Sequence, residues 1–63
     1  MLQLSQIILE NPQVNSFQEL LKVVGQFGAD GQVLLSFDLK PDFRDTPRDW
    51  ENKLEYAFMW GGR

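Results

Sequence analysis

The chain has 63 residues, 43% hydrophobic and 24% charged, with no cysteine, no histidine and a formal net charge of −3. These values describe one small globular domain over residues 1–63 and exclude a multidomain enzyme, a disordered tail, disulfide stapling and the common zinc cages. Nine acidic residues against six basic ones leave no basic footprint for nucleic acid, and no apolar run approaches the length of a membrane span or signal segment.

Surface scaling implies that folding buries about 6,400 Å². If about 60% of that is apolar, it contributes about 95 kcal/mol, and ordering the chain costs nearly the same. Association is therefore expected to add stability, as a homodimer or as a complex with another protein. The lack of cysteine suits a reducing compartment, so the cytoplasm is the default expectation.

Along the chain, Leu2 to Glu10 stop at Asn11-Pro12, because the residue before a proline is driven out of helical geometry. Leu4, Ile7 and Ile8 fit helical spacing and predict a short helix near residues 3–10, although the Leu2, Leu4 alternation also suits the start of a strand. Ser16-Phe17-Gln18-Glu19 is a capping box. It opens a predicted helix over 17–25 with Phe17, Leu20, Leu21 and Val24 on one face, stopped at Gly25 or Gly28. A hairpin, with residues 22–27 paired across 28–31 to the next segment, is the competing reading.

Residues 32–39 alternate Val33, Leu35, Phe37 and Leu39 between Asp30-Gly31 and Pro41, which predicts the main strand. Its backbone must pair with a terminal segment or across a dimer. Thr46-Pro47-Arg48-Asp49 offers a capping hydroxyl, a proline at the first helical position and an acid at the third, predicting a helix over 47–59. The expected fold class is α+β, with three short helices and one main strand.

The sequence offers little chemistry. Without His or Cys, the usual general base, thiol nucleophile and soft metal ligands are missing, so no enzyme, cofactor or metal is expected. Ser5, Ser16 and Ser36 sit in no nucleophile elbow. Gly25, Gly28 and Gly31 match neither the dinucleotide fingerprint nor the P-loop, and read as a helix stop plus turn. Asp38, Asp42, Asp45 and Asp49 lack EF-hand spacing. With Lys40, Arg44 and Arg48 between them, they read as a solvated mixed-charge loop, too sparse on one face to mimic DNA phosphates.

The last helix carries more apolar surface than one core face needs. At 100° per residue, Trp50, Leu54, Ala57 and Phe58 share an arc, and Tyr56, Met59 and Trp60 fall outside it. Either those three form a binding face, with Tyr56 and Trp60 as an i, i+4 anchor, or the N-terminal helix wraps them. Arg44 and Arg48 are candidate rim residues for an acidic partner. The expected function is a non-catalytic, small acidic protein-interaction module, an accessory or inhibitor protein of the phage or mobile-element type. The alternative is a small structural subunit or obligate homodimer of a larger assembly.

Overall fold

The computed structural model describes residues 2–32 and 34–61. Elements follow in the order β1 (Leu2–Gln3), α1 (Leu4–Glu10), α2 (Phe17–Ala29), β2 (Leu35–Ser36) and α3 (Trp50–Trp60), a small α+β fold. Leu4 and Ile7 of α1, Phe17, Leu20 and Val24 of α2, and Leu54 of α3 form the buried core. None of the described helices is long and apolar enough to cross a membrane.

Both readings of the N-terminal segment hold in turn: two residues of strand, then a helix. β1 pairs in parallel with β2, Leu2 opposite Leu35 and Gln3 opposite Ser36. The predicted strand over 32–39 shrinks to Leu35–Ser36, because Leu2–Gln3 is the only stretch that pairs with it among the described residues; Val33 lies outside them. Since β2 finds its partner inside its own chain, the backbone no longer calls for a second copy.

Helix α2 starts where the capping box places it, with the Ser16 Oγ accepting from the Glu19 N–H at 3.1 Å. Ser16→Ala is expected to cost about 1 kcal/mol in thermal or urea unfolding, as lost N-caps do; a change below about 0.3 kcal/mol would contradict that role. The end of α2 differs from expectation, and the hairpin reading is overturned. The helix passes through Gly25 and Gly28 to Ala29, and its stop is Gly31, at φ 93°. The Gly31 N–H donates to the Gly28 carbonyl and the Gln32 N–H to the Phe27 carbonyl, a Schellman closure that needs the left-handed residue at Gly31.

Gly25 and Gly28 instead serve the α2–α3 contact. A Cβ at Gly28 would fall inside the Phe58 carbonyl, and one at Gly61 inside the Gly25 carbonyl. The two helices meet there backbone to backbone. A Cβ at Gly25 would find only ordinary contact, 3.5 Å from the Ala57 carbonyl oxygen.

The third helix starts later than the predicted 47–59. Thr46 does not cap it. Its Oγ1 accepts from the Phe43 N–H at 3.1 Å and its N–H donates to the Phe43 carbonyl at 3.2 Å, closing a turn over residues 43–46. The hydroxyl is spent on that turn, so α3 begins after Asp49, with no side-chain cap.

The acidic loop is more than a solvated segment. The Asp38 carboxylate accepts from the Ser5 N–H at 3.0 Å and from the Ser5 hydroxyl, at the start of α1. The Asp45 carboxylate accepts from the N–H groups of Phe17 at 2.7 Å and Gln18 at 3.2 Å, at the start of α2. Each helix has free donors and a partial positive charge at that end. Pro41, between them, is fully buried. Residues 38–45 thus form a strap tied to two helix N-termini.

Those bonds set a pH dependence. The Ser5 hydroxyl and N–H hold the Asp38 carboxyl below the ordinary aspartate range, and the Phe17 N–H does the same for Asp45. A carboxyl whose folded pKa lies below its unfolded value stabilises the fold above the unfolded value, about 3.9. That contribution fades as pH falls through about 4 toward the lower folded values. The urea midpoint is therefore expected to drop over that interval, and Asp38→Asn with Asp45→Asn to flatten the drop. An equally steep acid limb in the double variant would assign it to other carboxylates.

Candidate protein-binding surface

Helix α3 sorts its side chains by angle as its sequence implies. Leu54 is fully buried, and Trp50, Ala57 and Phe58 are half-buried against the core. The Trp50 ring meets Phe37 edge to face, with centroids 5.8 Å apart. Outside that arc, Tyr56, Met59 and Trp60 are 68%, 55% and 52% exposed. The N-terminal helix does not wrap them. Tyr56 and Trp60, one turn apart, stack with centroids 6.4 Å apart and ring planes inclined by 23°.

The structure extends this face with residues that sequence reasoning missed. A shallow groove of about 390 Å³ runs between the β2 segment and α3, lined by Leu34, Leu35, Phe37, Glu55, Phe58 and Met59. A second hollow of about 310 Å³ lies along α3 between Asn52, Glu55, Tyr56 and Met59. The two share Glu55 and Met59. Leu34, 59% exposed, lines the same groove as Leu35 and Phe37, a placement that strict strand alternation does not give, since β2 covers only Leu35–Ser36.

Arg44 and Arg48 line neither of these two hollows. Both are exposed, Arg44 in the turn over residues 43–46 and Arg48 before the first turn of α3. Among the described residues, no three acidic side chains converge into a set that could hold a metal ion.

Comparison with protein-family models, with curated proteins and with solved structures finds no match for this chain.

Proposed function

We propose that the chain is a non-catalytic protein-interaction module that binds its partner through the outer face of α3 and the groove beside β2. The observation that carries this reading is the run of exposed Leu34, Tyr56, Met59 and Trp60 on one continuous surface. Tyr, Trp and Met are enriched where proteins meet, and contiguous exposed apolar side chains mark such sites. The absence of His and Cys and the use of Asp38 and Asp45 as helix caps support a role without catalysis. Size and acidity suit an accessory or inhibitor protein of the kind that phages and mobile elements encode, acting in the cytoplasm.

At about 200 Å² for each large side chain when fully exposed, the four residues present roughly 470 Å², close to the apolar share, just over half, of the about 800 Å² that each partner contributes to a stable interface.

The test pairs stability with capture. Tyr56→Ser with Met59→Ser is expected to leave urea unfolding within about 0.5 kcal/mol of the wild type, as surface changes do. Recovery of bound protein from extracts of cells that encode the chain should drop at least tenfold. Equal recovery by the folded double variant would remove this face as the binding site.

A further inference from the structure

The geometry points to one kind of occupant for this surface: an extended segment of a partner protein that places a large aliphatic side chain and an arginine two positions apart. This inference rests on the protein-binding reading and specifies its partner.

The two hollows differ in chemistry. The groove between β2 and α3 is walled by Leu34, Leu35, Phe37, Phe58 and Met59, with Glu55, which it shares with the second hollow, as its one charged lining residue, and its volume is at the small end for ligand sites, about 300–1,000 Å³. It has room for a few apolar side chains and not for a whole helix face. The neighbouring hollow offers the Glu55 carboxylate, the Asn52 amide, the Tyr56 ring and the Met59 thioether. A carboxylate beside an aromatic face is the setting that a guanidinium fits, by paired N–H bonds to the oxygens and by stacking on the ring.

Charge complementarity favours a cation. Glu55 is the one charged residue among the described residues lining either hollow, and the one ion pair among them joins Lys53 to Asp49 instead. The net charge of −3 draws a basic segment in. Once that segment covers the hollow, the pair it forms with Glu55 is partly shielded from water and gains strength. Spacing supplies the conformation. Side chains two apart on an extended chain lie on one face about 6.6–6.8 Å apart, which suits two adjoining hollows that share Glu55 and Met59, the latter a side chain able to adapt to both.

The probes are three acetylated and amidated pentapeptides, Ser-Leu-Ser-Arg-Ser, Ser-Leu-Ser-Glu-Ser and Ser-Ala-Ser-Arg-Ser, titrated to 5 mM into the whole ¹⁵N-labelled chain and followed by NMR. The Leu/Arg peptide should shift the amides of residues 34, 55, 56 and 59. The Leu/Glu and Ala/Arg peptides should bind at least fivefold more weakly. Glu55→Gln should weaken the Leu/Arg peptide at least threefold and leave the Leu/Glu peptide unweakened, with the melting temperature unchanged. Equal affinity for the Leu/Arg and Leu/Glu peptides, both lost in Met59→Ser, would overturn the arginine and leave the protein-binding surface standing. Absence of shifts with all three peptides overturns this occupant, while patch-dependent capture decides the broader reading separately. Sedimentation as a dimer that Met59→Ser dissociates would assign the groove to a second copy and overturn the inference.

Discussion

Gly28→Ala is expected to cost about 3 kcal/mol or more, whereas Gly25→Ala should gain up to about 1 kcal/mol. The two glycines lie one turn apart on α2, so helix propensity alone treats them alike and rewards alanine at both. The α2–α3 contact separates them. At Gly28 the added carbon would meet the Phe58 carbonyl carbon at 2.9 Å and its Cα at 3.3 Å. These are backbone atoms that cannot rotate aside, so α3 must shift off the core. At Gly25 the nearest atom, the Ala57 carbonyl oxygen, is 3.5 Å away, and the gain in backbone order is kept. For a chain of this size, whose total stability is about 3–9 kcal/mol, the first change leaves little folded protein. Urea midpoints of the two variants check the contrast, and equal midpoints would mean that the helices are not in backbone contact.

The second large effect is at Leu54. It is the only fully buried side chain of α3, where it packs with core residues from α1 and α2. Leu54→Ala should cost about 2–5 kcal/mol, the transfer term plus the cavity left behind. Met59→Ala, on the outer face of the same helix, should stay within about 0.5 kcal/mol. Thermal melts distinguish the two. A Met59 variant as unstable as the Leu54 variant would make the outer face part of the core and take away the proposed binding surface.

What could be read from the sequence was what neighbours along the chain decide. The start of α2 follows from Ser16 and Glu19, three residues apart. The two faces of α3 follow from 100° per residue. What could not be read depends on partners distant in sequence. Asp45 caps Phe17 from 28 residues away, and no local pattern distinguishes it from Asp42. Thr46 had every local mark of a helix cap, yet the turn to Phe43 claims its hydroxyl. Residues 32–39 have strand propensity throughout, but ladder hydrogen bonds need a partner, and Leu2–Gln3 supplies only two residues. Gly25 and Gly28 resembled a helix stop until α3 was in place. The hint was the matching pair of small residues four apart, Ala57 and Gly61, on the other side of the contact. Leu34 and the groove beside it were hidden for the same reason, since their other wall is α3.

The strap and the parallel strand pair also constrain the order of assembly. Asp38 reaches back 33 residues to Ser5, β2 reaches back the same distance to β1, and each such closure must overcome loop entropy that grows with the logarithm of the span. Antiparallel strands joined by a tight turn could form within microseconds of their synthesis; these cannot. While the ribosome still holds residues 35–45, α1 has neither its strand partner nor its capping carboxylate. At seven residues it is well below the length at which an isolated helix persists in water. Residues 2–10 thus precede the other elements of the fold in the chain and yet are among the last of them to lock. Until then Leu4 and Ile7, which the finished core buries, lack their full cover, and during synthesis it is this segment that a chaperone or a protease meets unfolded.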